Sequence, residues 1–476
     1  MHHLNAASAR THRAPAARWL WLCAMLVVAL VPAACAGSGA TKTPTPTVIA
    51  TVATPTPAGP TATPTPDLAV LLKDGGIAIV QTAYRRLVDE YINPPGGRAL
   101  LDAAWAAAAQ KARALGAVVP AAPRLTGDGA AAVAAFRDAY VRMTAALADA
   151  KDVRFAAINA MASSLHDCHT FFLNPVASDT VVSSREGKGS VGIGVELASV
   201  PPLVTEVIPG SPAALAGVRV GDRIASIDGA DASAMGPAAA FDLINGVEGT
   251  TVRLQLRRPG ARAAIDVTMQ RQRVVPPNIE SRVLPGGIGY VRVREFIDGG
   301  IAAGLRDALA AFGAQGVTKW IIDIRDNPGG RLDVDAISLF VKDGVIVRDH
   351  GRDGKPQDTR ADGKALAVLR PTVLLVNHGT GSVAEVFAAA LQEYHAAYVI
   401  GATTNGCAGY TDLRPLGDGS SLAVTTNVNQ GPRTGKPLNG VGVIPDEPVA
   451  RTSADIAAGR DPQLDAAVAH LEGIHG

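Results

Sequence analysis

Val373-Leu-Leu-Val-Asn-His-Gly-Thr-Gly-Ser-Val-Ala-Glu-Val-Phe387 is the stretch whose reading decides the fold. Val373 to Val376 are four consecutive apolar residues, the pattern of a strand buried on both faces. His378-Gly-Thr-Gly381 is a tight polar turn, and Ser382 opens a helical pattern through Val386, Phe387 and Leu391. A serine on a sharp strand-to-helix turn presents its hydroxyl at a helix N-terminus, which suits a nucleophile. Ser382 and Glu385 also have the spacing of a capping box, the commoner meaning of such a pair. The choice between these readings depends on the rest of the chain.

The 476 residues are enough for two or three domains, and a hydrophobic content of 47% supports a substantial core. The net charge of +1 speaks against a nucleic-acid or strongly acidic partner. Arg10, Arg13 and Arg18 precede the apolar run Trp19–Val31, too short for a comfortable membrane span and typical of a signal peptide. Ala33-Ala34-Cys35 resembles the cleavage box of bacterial lipoproteins, in which that cysteine is acylated; Pro32 stands where a larger aliphatic residue is usual. Residues 1–35 are read as the signal and 36–66, with its Thr-Pro repeats, as an extended linker. The mature protein is thus expected outside the cytoplasm, lipid-anchored through Cys35, or secreted if Cys35 is not acylated.

Helical spacing at Ile77, Val80, Tyr84, Leu87 and Tyr91 begins a helical segment, 67–187, with further helices expected near 99–115, 130–148 and 152–165. The last runs into His166-Asp-Cys-His169. Its histidines could serve the helix C-terminus. No second Cys/His cluster follows at zinc-site spacing, so neither a metal nor a cofactor is expected. Beyond the signal only Cys168 and Cys407 remain, and two thiols in an oxidising compartment invite one disulfide.

Residues 188–275 carry Gly192-Ile-Gly194, Pro209-Gly-Ser-Pro-Ala213 and Gly221-Asp-Arg-Ile224, with Ile227-Asp-Gly229. These strings resemble a PDZ domain of the bacterial protease type. The backbone of Gly192, Ile193, Gly194 and Val195 would receive a peptide carboxylate, and the strand that follows would pair with an extended peptide.

In residues 276–476, strands alternate with helices, which indicates an α/β core. Further strands are expected at 397–401, 421–428 and 440–444. Three strings occur here: Asp323-x-Arg325-x-Asn327-x-Gly329-Gly330, Asn377…Ser382-x-x-Glu385 and Val441-Gly-Val-Ile-Pro-Asp446. Together they resemble the C-terminal processing (tail-specific) peptidases and the tricorn protease core. The resemblance implies a crotonase/ClpP-like α/β serine protease core, with an N-terminal helical segment and an inserted PDZ β-domain. It makes Ser382 the nucleophile and assigns the oxyanion donors to Gly329, Gly330 and Val383.

One departure bears on mechanism. Tail-specific members carry a lysine base about 25 positions after the serine, in a Phe-Gly-Lys-Gly string. This chain has Asn405-Gly-Cys407-Ala-Gly409, with no lysine between Ser382 and Lys436. The tricorn-like branch takes a histidine from the preceding helical segment, which matches His169, and an acid at the position of Asn439. The resemblance therefore implies Ser382 nucleophile, His169 base and Asn439 orienter, with His378 as rival base. If both loops converge on Ser382, Cys168 and Cys407 become neighbours and form the disulfide. The expected substrates are unfolded or C-terminally recognised polypeptides. The competing function is a catalytically weak or inactive protein that binds peptide or an apolar ligand on the same fold.

Overall fold

A computed structural model describes residues 67–185, 188–296, 300–366 and 370–473. The expected signal peptide 1–35, Cys35 and the linker 36–66 lie outside the described residues. No helix among the described residues is long and apolar enough to cross a membrane.

The chain opens with helices Leu68–Glu90, Gly97–Ala114, Ala130–Thr144 and Lys151–Ser163. Their apolar stripes meet in one core around Leu87, Leu100, Phe136, Tyr140 and Ile158. The first helix is broken at Lys73–Gly76, where Asp74, Gly75 and Gly76 have positive φ, so its regular part starts at Ile77.

A six-stranded sheet forms the second core, in the order Ile279–Leu284, Ile288–Val293, Lys319–Asp323, Thr372–Val376, Tyr398–Gly401, Glu447–Pro448. The first pair is antiparallel and the others parallel. Leu374 and Val376 face the helices Ile301–Ala314 and Val383–Glu393. Val373 and Leu375 face the helix Pro462–Gly473 on the opposite side. Helices on both faces explain why this strand is apolar at every position.

An antiparallel sheet links the two cores. Ser421–Gln430 pairs with Phe171–Leu173, Val345–Gly351 and Gly409–Pro415. Leu422 and Val424 of this long strand are buried in the helical core. The pairing of Phe171 with Ala423 joins the end of the helical segment to the late part of the chain.

The strand expected at 440–444 does not form. Gly440 and Gly442 have φ of 79° and 77°, so the chain turns there, and the short strand comes later, at Glu447–Pro448. Alternating residues from Ser190 to Leu197 have the pattern of a single strand, but the chain forms two, Ser190–Gly192 and Val195–Ala198, divided by Gly194 at φ 77°.

Candidate active site

The turn after Val376 is clamped to the end of the neighbouring strand. Asn377 Oδ1 accepts the N–H groups of Asp326 (2.9 Å) and Gly379 (3.0 Å), and its Nδ2 donates to Asp326 Oδ1 (2.8 Å). Thr380 Oγ1 donates to the Ile324 carbonyl (2.9 Å), and the Gly381 N–H to that of Asn327 (2.9 Å). Ser382 is thereby held at φ 54°, ψ −125°, a backbone conformation that non-glycine residues rarely adopt. Holding it costs of order 1–3 kcal/mol and persists only where the surroundings enforce it, as at functional sites.

Glu385 is fully buried one turn into the helix. Its Oε2 accepts the Ser382 N–H (3.1 Å), the capping contact expected from the sequence. The same carboxylate also accepts the Thr404 hydroxyl (2.6 Å) and the N–H groups of Gly406 (2.7 Å) and Cys407 (2.8 Å). Burial pushes its pKa above the ordinary carboxylate value, against the opposing pull of these hydrogen bonds. The Ser382 N–H also reaches the Cys407 carbonyl (2.7 Å). Cys407 therefore lies beside Ser382, as the lysine comparison implies.

His169 arrives from the other end of the chain. Asp167 Oδ1 accepts the N–H groups of His169 (2.7 Å) and Thr170 (3.1 Å) and the Thr425 hydroxyl (2.8 Å). Asp167 Oδ2 accepts the Tyr91 phenol (3.1 Å). The buried His169 ring sits with Nδ1 3.3 Å from Cys407 Sγ and 3.7 Å from Cys168 Sγ. The two sulfurs are 2.14 Å apart. Ser382, Cys407, Cys168 and His169 thus form one continuous cluster. Asn439 joins it: its Oδ1 accepts the Ala408 N–H (3.3 Å) and is 4.0 Å from Cys168 Sγ. His378 is exposed on the turn, where its carbonyl accepts Asn405 Nδ2 (3.3 Å).

Gly329 packs directly on the serine. A Cβ there would lie 2.5 Å from Ser382 Cβ and 2.9 Å from the Val383 nitrogen, at a φ of 99°. Its N–H donates to Asn327 Oδ1 (2.8 Å). Among the described residues no acceptor is found for the N–H of Gly330 or of Val383, the latter in the first turn of its helix. Gly329→Ala is expected to lower kcat by about 10²- to 10³-fold, because the methyl displaces Ser382 and the Val383 donor. Steady-state kinetics with a thermal melt to register folding will check this.

Sequence reasoning assigns no role to Asp167, Asn327 or Asn377, although each lies inside a string it singled out. Their adjacency to candidate residues was the available signal.

In the PDZ-like module, the expected peptide-binding residues lie beside the edge of a sheet. Among the described residues Val195–Ala198 pairs only with Leu203–Val207, so its other edge has no strand beside it there. Beside it Gly192, Ile193, Gly194 and Val195 line a cavity of about 100 Å³ with Phe241 and Ile244. A Cβ at Gly192 would lie 2.5 Å from Asn245 Oδ1, which accounts for a glycine there.

On the same module, Glu206 pairs with Arg292 (2.6 Å) and Arg294 of the core sheet, and Arg294 with Glu280 (2.8 Å). Glu196 stands opposite Glu206 in the strand register. Burial, then the charges of Glu206 and Asp326, push Glu196 up from 4.5 to about 7. A raised carboxyl pKa means that the folded state binds the extra proton, so stability falls as pH rises from about 4.5 to about 7. Glu196→Gln is expected to flatten that interval and to add about 3 kcal/mol above it, read by denaturant titration at several pH values.

Comparison with known proteins identifies the family. Residues 287–449 match peptidase family S41, and residues 203–258 match a PDZ domain. A carboxy-terminal-processing protease of Bartonella bacilliformis is 31% identical over 317 residues, covering 65% of this chain and 72% of that protein. A carboxyl-terminal-processing protease of Synechocystis sp. is 30% identical over 337 residues, covering 68% and 78%. Among solved structures, a photosystem II D1 C-terminal processing protease superposes with a TM-score of 0.52 at 26% identity, over 79% of this chain and 93% of that one. This chain belongs to peptidase family S41 and is a serine-type peptidase of the carboxyl-terminal processing kind, with a PDZ domain.

Proposed function

We propose that this peptidase works with Ser382 as nucleophile and His169 as base, on unfolded or C-terminally recognised polypeptides outside the cytoplasm. The observation that carries this reading is that Cys407, in the position of the missing lysine, bonds Ser382 through its backbone and contacts His169 through its sulfur. His169 takes the Ser382 proton as the hydroxyl attacks the peptide carbonyl. The oxyanion is received by the N–H groups of Gly330 and Val383, while Gly329 supplies the space for it. His169 then protonates the leaving amine, and water repeats the sequence on the acyl-enzyme. Asn439 orients the ring through its amide oxygen, a weaker partner for an imidazolium than a carboxylate.

A Cys168–Cys407 disulfide pins the His169 loop beside the serine. It closes about 240 residues and contributes a few kcal/mol in the chain-entropy model. A disulfide here fits the extracytoplasmic location suggested by the N-terminal sequence. The substrate's C-terminal carboxylate docks at Gly192–Val195, and its strand adds to the Val195–Ala198 edge.

Labelling with a serine-directed fluorophosphonate tests the assignment. Wild type should label and Ser382→Ala should not. Label retained in the variant removes Ser382 from the mechanism, and no label on folded wild type favours the binding function instead.

A further inference from the structure

Three soft donors meet beside Ser382. The sulfurs of Cys168 and Cys407 and a ring nitrogen of His169 all lie within 4.8 Å of one another. His169 Nδ1 is 3.7 Å from one sulfur and 3.3 Å from the other. In a tetrahedral zinc site with bonds of about 2.3 Å to sulfur and about 2.0 Å to nitrogen, a sulfur and a nitrogen ligand are about 3.5 Å apart. Two of the three ligand–ligand distances are therefore already near those of a metal site. The third requires the sulfurs to separate to about 3.8 Å. Their Cα atoms, 5.9 Å apart, leave room for this by side-chain rotation. Neither loop need move: Asp167 fixes one from behind and Glu385 the other.

We propose that reduction of the Cys168–Cys407 bond converts this cluster into a Zn²⁺ site, formed by Cys168, His169 and Cys407, that silences the peptidase. The inference rests on the disulfide and on the Ser382–His169 reading. A dithiol supplies the two electrons and two protons that break the Sγ–Sγ bond, and is itself oxidised to a disulfide. Zn²⁺ then displaces the two thiol protons to solvent and takes the imidazole lone pair. The fourth position is left to water, the ligand count of open Cys₂His zinc sites. With one ring nitrogen on the metal and the other carrying the proton, His169 has no lone pair with which to accept the serine proton. The cluster would thus silence the peptidase only where a reducing environment and available zinc coincide.

The test uses the full chain, reduced with a dithiol and desalted without oxygen, with Co²⁺ as spectroscopic probe. The reduced protein should bind one Co²⁺ per chain with a thiolate-to-cobalt charge-transfer band, which Zn²⁺ abolishes by displacement. The oxidised protein should show no such band. Zn²⁺ should slow fluorophosphonate labelling of the reduced protein by about 10²-fold, reversibly with a chelator. Reduced protein with both thiols titratable and no charge-transfer band would overturn the proposal. So would a band that survives in Cys168→Ser and in Cys407→Ser. If these variants do not fold, the comparison of reduced with oxidised wild type decides. Labelling of metal-free oxidised protein tests the hydrolytic reading separately: its loss there, with the cobalt band intact in the reduced form, would sink that reading and leave the metal site standing.

Discussion

His169→Ala is expected to lower kcat/KM by about 10²- to 10⁴-fold, the contribution of a general base. The effect should be this large because no lysine lies between Ser382 and Lys436 to take over. Wild-type activity should rise with pH across the range in which a histidine loses its proton, and the variant should lack that rise. His378→Ala serves as the control. It changes an exposed side chain on the turn and should leave rate and pH dependence close to wild type. The reverse pattern, with His378→Ala inactive and His169→Ala active, would assign the base to the turn. A profile that rises only well above neutral would point to a base other than either histidine.

Glu385→Ala should be the most destabilising single change near the site. It leaves the partly buried Gly406 and Cys407 N–H groups and the buried Thr404 hydroxyl without their shared acceptor. Orphaned buried donors cost about 1–3 kcal/mol each, so a total loss of about 3–5 kcal/mol is expected. A lowered denaturation midpoint reads this directly. Activity should fall even under conditions where the variant is folded, because one carboxylate holds both the Ser382 backbone and the Cys407 turn. Glu385→Gln should recover part of the stability, since it keeps one acceptor oxygen but turns an NH₂ toward other donors. If Glu385→Ala matched wild type in both stability and rate, the carboxylate would have no role beyond its cap.

The sequence resolves those parts of the protein whose causes are local. Val373–Val376 reads as a buried strand because covered sheets are apolar at every position. The helix after Ser382 is legible from its period. The expected strand at 440–444 fails for an equally local reason: its valines have strand propensity, but Gly440 and Gly442 take positive φ and the chain turns. Resemblance added more than pattern, because it nominated His169 and Cys407 from separate strings. What it left out are groups that act at a distance. Glu385 looks like a helix cap until the Thr404–Cys407 turn folds onto it. Gly329 looks like an oxyanion donor until Asn327 accepts its N–H. Cys168 and His169 look like an isolated pair until Cys407, 239 positions from Cys168, folds against them.

By itself the sequence determined which side chains are able to react, where the backbone turns sharply, and which strands are buried. Tertiary structure alone decided which of them meet. The strand Phe171–Leu173 finds Ser421–Gln430, and that pairing carries His169 to Cys407, whose carbonyl accepts the Ser382 N–H. The physical reason is that turns and helices follow from the residues within them. A contact across more than two hundred positions is fixed by the packing of whole layers, and no short window of sequence contains that information.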